Sequence, residues 1–330
     1  MSNTKFGIVC VGVAVHDLVF GLQHLPVREG KYRARELTST GGGMAASAAA
    51  AIAQLGAPVE LWSRLGDDAI ADTITAELQS FGVNTLWCKR NAGARSSLSA
   101  VMVDQRGERL IVNYTDPDID AGAAWLPIER IANSTAVLVD TRWETGAIAA
   151  LDAASKANIP SVLDADSAPV PLSLLQRASH CVFSASALAD FAKTNGANTN
   201  DTKTDDADTQ HANTNDVIAG LDYVAQHTLG IPAVTLGAEG IYWRQADGIH
   251  HQPAFPVTVV DTLGAGDVFH GALAMALGEM QSLAQSMRFA AACAAIKCTR
   301  FGGRQGVPER HEVEQLLRQT PDAHPAPLEL

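Results

Sequence analysis

The 330-residue chain is short of positive charge, and the shortage narrows what it can bind. It has 24 Lys and Arg against 36 Asp and Glu, a formal net charge of −12. A general nucleic-acid or membrane-surface role needs basic surface. Neither partner is therefore expected, and an anionic substrate must be caught by a few local cations. Cysteine is also sparse. Cys10, Cys88, Cys181, Cys293 and Cys298 form no CxxC pair. That indicates neither a disulfide framework nor a zinc site, and it suits a reducing compartment. Cys10 and Cys181 sit in apolar, strand-like runs, as small core residues do. Long hydrophobic runs are missing too: Phe6–Val15 is too short to cross a bilayer. It contains Gly, has no small-residue cleavage pattern and leads straight into His16-Asp17, so it reads as one buried strand of a cytoplasmic protein. No internal repeat or domain linker appears. The GK[ST] of a P-loop and the GxGxxG of a dinucleotide fold are absent. What remains is ordinary globular composition, 47% hydrophobic, enough for one large α/β domain or two small ones.

Against these absences one stretch stands out, Val259–Leu273, VVDTLGAGDVFHGAL. Two valines end a strand, Gly264-Ala265-Gly266 makes a turn, and Asp267 falls where an apolar, Ala-rich helix begins. A glycine turn entering a helix presents unpaired N–H groups and the positive end of the helix dipole. Such a place attracts a phosphate, which a carboxylate cannot itself bind. Asp267 is then either a helix N-cap, as Asp often is, or a general base beside an anion hole that takes a proton from an attacking hydroxyl. Local physics leaves both readings open.

The rest of the chain supplies a frame. From Ala136 onward apolar strands alternate with helices, the pattern of a parallel sheet covered on both faces. Ligands of such sheets bind beyond the carboxyl ends of strands. Asp17, after the first strand, and Arg142, Asp164 and Asp166, after later ones, are thereby candidate contacts. Gly41-Gly42-Gly43 opens a helix of very small residues, letting backbone approach a ligand closely. Ser97–Val103 and Arg109–Tyr114 read as a hairpin, with Asn113 near its end. Leu18–Thr40 carries the basic residues Arg28, Lys31, Arg33 and Arg35, as a solvated edge or as a lid bearing cations. Residues 193–216 are almost without apolar side chains and read as a disordered insertion. Residues 320–330 read as a loose tail.

The segments GGGMAASAAAAIAQLGAPVELWSRLGDD and DTLGAGDVFHGAL resemble the two signatures of ribokinase-like (PfkB) carbohydrate kinases, and VTLGAEG resembles their nucleotide-side glycine turn. The resemblance spans nearly the whole chain except the polar insertion. It implies one α/β kinase domain over residues 1–330: a three-layer sandwich with a mostly parallel central sheet and a small β-sheet lid, here about 18–40 and 97–114. The lid implies closure over a sugar and a homodimer contact. The cofactors implied are ATP and Mg²⁺. Asp267 is implied as catalytic base, with Gly264, Ala265 and Gly266 as the backbone anion hole. Asp17, Gly42 and Gly43 are implied to hold sugar hydroxyls, and Thr235, Gly237 and Gly240, with Gly264 and Gly266, to line the nucleotide.

Two positions depart from the family pattern. Ser47 stands where many members carry Asn, and Ser184-Ala185-Ser186-Ala187 stands where they carry an NxxE element linked to magnesium, so the metal ligands are left unassigned. The segments EGKYRAR, GERLIVNY, DTRW and KCTRFGGR resemble family members acting on a sulfonated ketose. That implies Lys31, Asn113 and Arg142 on the sulfonate of 6-deoxy-6-sulfofructose and transfer to its 1-hydroxyl. An ammonium, an amide and a guanidinium fork suit a tetrahedral oxyanion. The alternatives are a kinase for another ketose, sugar phosphate or sugar acid, and a non-catalytic sugar- or nucleotide-binding regulator. The altered magnesium element favours the regulator; the intact GAGD opposes it.

Overall fold

A computed structural model of the chain describes residues 6–105, 108–166, 170–194, 214–320 and 326–327. Its N-terminal apolar run does not stay in one strand. Ile8–Val11 (β1) lies in a large sheet, whereas Val15–Gly21 (β2) lies in a separate small one. The single strand expected over Phe6–Val15 is therefore two. At Gly12, between them, a Cβ would overlap the Asp140 carboxylate, so only glycine lets the chain leave the sheet there. Asp17 consequently sits inside β2, not at the carboxyl end of β1.

The small sheet pairs β2 with Glu36–Gly42 (β3) on one side and Leu98–Val103 (β6) on the other, and β6 with Arg109–Tyr114 (β7). Between β3 and β6 the chain forms the helix Met44–Gln54 (α1), Val59–Gly66 (β4), the helix Ala69–Ser80 (α2) and Asn84–Asn91 (β5). The later strands are Ala136–Asp140 (β8), Ser161–Ala165 (β9), His180–Ser184 (β10), Ile231–Thr235 (β11), Ile241–Gln245 (β12) and Gly248–Gln252 (β13). Ala326–Pro327 (β14) adds two residues beside β13, within the segment expected as a loose tail. The large sheet runs β14-β13-β12-β11-β10-β9-β8-β1-β4-β5, parallel from β11 through β5 and antiparallel at the other edge. This is the mostly parallel sheet and small lid of a ribokinase-like α/β fold.

Strand alternation divides the core between the two faces. Ile8, Cys10 and Leu138 face one cluster, and Val9, Val11, Val137 and Val139 the other. Continuous apolar strands are what two covered faces demand. The first face is covered by α1, α2, Ala265–Gly278 (α7) and Leu283–Cys298 (α8); the second is covered by Glu144–Lys156 (α3), the short Leu172–Leu175 (α4), Ala185–Thr194 (α5) and Thr214–Ala225 (α6). The small residues of α1 and α7 let the two helices approach closely. A Cβ on Gly271 would lie 2.7 Å from Ala48 O. Of the expected polar insertion, residues 195–213 lie outside the described residues; its margins are helical. Leu188 and Phe191 on α5, and Val217, Leu221 and Val224 on α6, bury their side chains in the core and carry those helices into the polar stretch.

Candidate active site

Because β11, β10, β9, β8 and β1 are parallel, their carboxyl ends share one edge, and α7 begins there. The strand expected at Val259-Val260 does not form. Both valines are exposed, and the N–H groups of Val260 and Asp261 instead donate to Cys298 O at 2.8 and 3.2 Å. Gly264 is the N-cap of α7, left-handed with φ of 75°, a conformation glycine adopts without strain. Asp267 is the third helical residue, and the α7 entry has no side-chain cap. The cap reading of Asp267 therefore fails. Ala265 N–H donates to Thr262 O at 3.2 Å. Within the first turn, Gly266 and Asp267 N–H have no intrahelical acceptor and are the donors left for an anion. The Asp267 carboxyl is raised well above ordinary carboxylate values, first by burial and then by Asp164, with His270 and Arg304 opposing.

The three glycines 41–43 are each explained by what presses on them. At Gly41 a Cβ would collide with the Arg304 guanidinium and the Glu77 carboxylate; at Gly42 it would collide with the Asp17 carboxylate. Gly43 has φ of 90°, and a Cβ would approach Val13 O to 2.6 Å. The sequence suggested glycines making room for a ligand; two of them make room for site side chains. Arg304 is 2% exposed. Its Nη2 donates to Gly42 O at 2.6 Å, its Nη1 to Glu77 Oε2 at 3.2 Å and its Nε to Ser47 Oγ at 3.4 Å. A cavity is lined by Asp17, Gly42, Gly43, Ser47, Gly264, Asp267 and Arg304. Fold and register thus bring Asp17, Gly42, Gly43, Gly264 and Asp267 together from three separate parts of the chain. Asp17 itself is raised, chiefly by burial, with a Ser99 hydrogen bond and Arg304 opposing.

In the sequence Asp140 carries no signal beyond being one acid at the end of an apolar strand. It is fully buried. Its Oδ2 accepts from Val13 N at 2.8 Å and Ala45 N at 3.3 Å, and its Oδ1 from Arg142 N at 2.9 Å. It therefore caps α1 from across the sheet, tying the glycine entry to the backbone of Arg142. Beside it, Asp164 has two buried oxygens without a hydrogen-bond partner and lies 3.3 Å from His270 Nδ1. Asp166 follows it, exposed at the end of β9. Among the described residues no group of three or more His, Cys, Asp or Glu is arranged to hold a metal. Mg²⁺ bound with phosphate and water needs only one or two carboxylates, and Asp164 and Asp166 fit as those oxygen donors. At the divergent NxxE position, Ser184 Oγ accepts from Ala187 N at 3.1 Å and donates to Asp166 O at 2.6 Å.

Asp261 joins the lid to the glycine turn. Arg109, at the start of β7, reaches Asp261 Oδ1 at 3.2 Å and Thr262 Oγ1 at 3.0 Å. Leu263 N and Gly302 N donate to the same carboxylate. Lys297, 0% exposed, places Nζ 2.9 Å from Asp261 O and 3.5 Å from its Oδ2. A fully buried lysine is rare unless paired. Nothing in the motif's sequence signals that its partner comes from α8.

The remaining expected residues lie outside this cavity's lining. Asn113 is exposed on β7, but register aligns Thr40, Asp17, Ser99 and Asn113 in one row across the small sheet. Two strand spacings separate Asp17 from Asn113, about 10 Å. Arg142 is exposed beyond β8, near enough to oppose in part the rise that burial, Asp166 and Asp140 impose on the Asp164 carboxyl. Lys31 is exposed in the loop between β2 and β3. Thr235 ends β11, and Gly237 (φ 54°) and Gly240 (φ 91°) flank the turn after it. A Cβ on Gly240 would overlap Gln252 O; Gly237 has open space around it, as a backbone facing a ligand requires.

The sequence pattern of the pfkB family carbohydrate kinases matches residues 5–310. Fructokinase-1 of Zea mays is 28% identical over 84% of this chain and 88% of its own length. Among solved structures, a ribokinase candidate from Agrobacterium tumefaciens superposes with a TM-score of 0.83 at 35% identity, over 96% of this chain and 98% of that one. Arabidopsis thaliana ribokinase complexed with ribose and ATP superposes with a TM-score of 0.79 at 25% identity, over 95% and 99%. No helix among the described residues is long and apolar enough to cross a membrane.

Proposed function

The chain belongs to the pfkB family of carbohydrate kinases, and from that premise we propose that it transfers the γ-phosphoryl group of ATP to the 1-hydroxyl of 6-deoxy-6-sulfofructose, giving the 1-phosphate. The observation that carries the sulfonated substrate is the polar row across the lid. Asp17, second in that row, is a hydroxyl acceptor in the same cavity as Asp267, and Asn113 at the row's far end lies about 10 Å away on the same sheet face, a span suited to a ketose with an anionic group on its far carbon. Arg142 beyond β8 and Lys31 on the lid loop supply the two cations. In a chain of net charge −12, capture of a sulfonate rests on such local donors. The fructokinase relative favours a ketose, and the ATP-bound ribokinase favours ATP as donor.

In the reaction, the 1-hydroxyl oxygen forms a bond to the γ-phosphorus as the bond to ADP breaks, and its proton passes to the Asp267 carboxylate. The Gly264–Gly266 turn and the start of α7 stabilise charge on the transferring group. Since phosphoryl transfer passes through a loose transition state, positioning and electrostatic stabilisation dominate over proton removal. Asp164 and Asp166 would hold Mg²⁺, which would supply neutralisation of the phosphate charge. Thr235, Gly237 and Gly240 line the nucleotide. Two copies pair through the lid, where Leu37, Ile111 and Val112 are 63, 50 and 57% exposed.

Steady-state kinetics with sulfofructose, fructose and fructose 6-phosphate test the substrate. Arg142→Ala removes one charge-assisted contact worth about 1.5–3 kcal/mol, so kcat/KM for sulfofructose should fall by about 10- to 150-fold with fructose little changed. Equal losses on both sugars would refute the sulfonate assignment. The names of the relatives favour a second reading, a kinase for unsubstituted fructose or ribose, which a wild-type preference for those sugars would establish.

A further inference from the structure

We propose that Arg304 contacts the sugar: its guanidinium donates to a ketose hydroxyl whose own proton is accepted by Asp17, which makes Arg304 a specificity-determining residue. The proposal rests on the sugar-kinase reading of the Asp267 site and not on the sulfonate. A guanidinium carries five N–H donors. Three are engaged by Gly42 O, Glu77 Oε2 and Ser47 Oγ, the last at a long 3.4 Å. The same group lines the cavity with Asp17 and Asp267. Its ion-pair partner is Glu77, on the side of Gly41, whereas Asp17 and Asp267 act on it through space.

A cation that shares a cavity wall with two carboxylates it does not pair with can meet one of them through a hydroxyl bound in that cavity. A hydroxyl both donates and accepts, so it satisfies carboxylate and guanidinium together. Burying an arginine is costly unless its donors are used. Three neighbours accommodate this one: Gly41 lacks the Cβ that would collide with it, Glu77 supplies its counter-charge, and Ser47 is short enough to leave it room. The turn Arg304–Gly306 follows Gly303, itself in the cavity wall, so the side chain enters from the α7 side and ends at the lid.

A substrate-and-mutant cycle tests this, with 6-deoxy-6-sulfofructose and its 3-deoxy and 4-deoxy analogues as probes. Arg304→Gln should lose about 10- to 100-fold in kcat/KM for the parent sugar, leave KM for ATP within about twofold, and no longer distinguish the parent from the analogue lacking the contacted hydroxyl. Arg304→Lys keeps the charge and the Glu77 pair but not the planar fork. It should show the same loss of discrimination to a smaller degree, and it carries the test if the Gln variant does not fold. Variants that are less stable yet discriminate among the sugars as the wild type does would overturn the proposal, because a brace has no means of sensing one hydroxyl. If the wild type accepts fructose but not sulfofructose, the sulfonate reading falls and the cycle run on fructose and its deoxy analogues decides Arg304. A wild type that phosphorylates neither ketose overturns both.

Discussion

Removing the buried Lys297 ammonium should destabilise the protein by a calculable amount and loosen the glycine turn. Lys297→Met keeps most of the side-chain volume and deletes the charge next to Asp261 O and Oδ2. Breaking a buried ion pair by removing one partner costs about 3–5 kcal/mol when the remaining charge is stranded. Asp261 is not stranded. Its side chain is 14% exposed and keeps Arg109 at 3.2 Å, together with the N–H groups of Leu263 and Gly302. The expected loss is therefore smaller, about 2–3 kcal/mol. Asp261→Asn removes the other charge, and the double variant should be more stable than the sum of the singles implies, by about 1 kcal/mol or more. Urea denaturation of the four proteins measures this coupling, read from midpoints at unchanged m-value. Additive losses, or a Lys297→Met variant within about 0.5 kcal/mol of wild type, would mean that the ammonium contributes nothing through Asp261. Since Asp261 precedes the turn at 264–266, kcat should fall with stability in Lys297→Met.

Two further outcomes follow from the site. Asp267→Asn should lower kcat by at least about 100-fold, the low end for general base catalysis, while calorimetry finds sugar affinity retained. Because burial and Asp164 raise the Asp267 carboxyl and only the ionised form accepts a proton, the acid limb of kcat/KM should lie above the ordinary carboxylate value of about 4. Activity is then lost as pH falls through that limb. A limb unmoved from that value would contradict the burial argument. Gly42→Ala forces the Asp17 carboxylate off the backbone. Overpacking costs about 1–3 kcal/mol, and sugar KM should rise while KM for ATP does not; an unchanged sugar KM would remove Asp17 from the sugar site.

Much of the fold was legible because its signals are local. Apolar strands such as Ala136–Asp140 announce two covered faces, and the alternation after them announces a parallel sheet. The break at Gly12 was not legible, since its cause, the Asp140 carboxylate, lies 128 positions along the chain. The strand expected at Val259-Val260 failed for a related reason. β-branched residues favour extended backbone, but here the N–H groups of Val260 and Asp261 bond to the end of α8 and to no neighbouring strand.

By itself the sequence determined the glycine turn before Asp267, the small-residue helix after Gly43 and the resemblance that joins them. These rest on backbone conformation and side-chain size, properties that residues carry wherever they stand. The tertiary structure decided what surrounds them. It removed Asp267 from the cap position by giving that place to Gly264, and set Arg304 against Gly41. It also brought Lys297 to Asp261, and Asp140 beneath α1. The Arg304, Lys297 and Asp140 contacts are pairings of charge or hydrogen-bonding groups distant in sequence. The energy of such a pair depends on separation and burial, which exist only once the chain has folded.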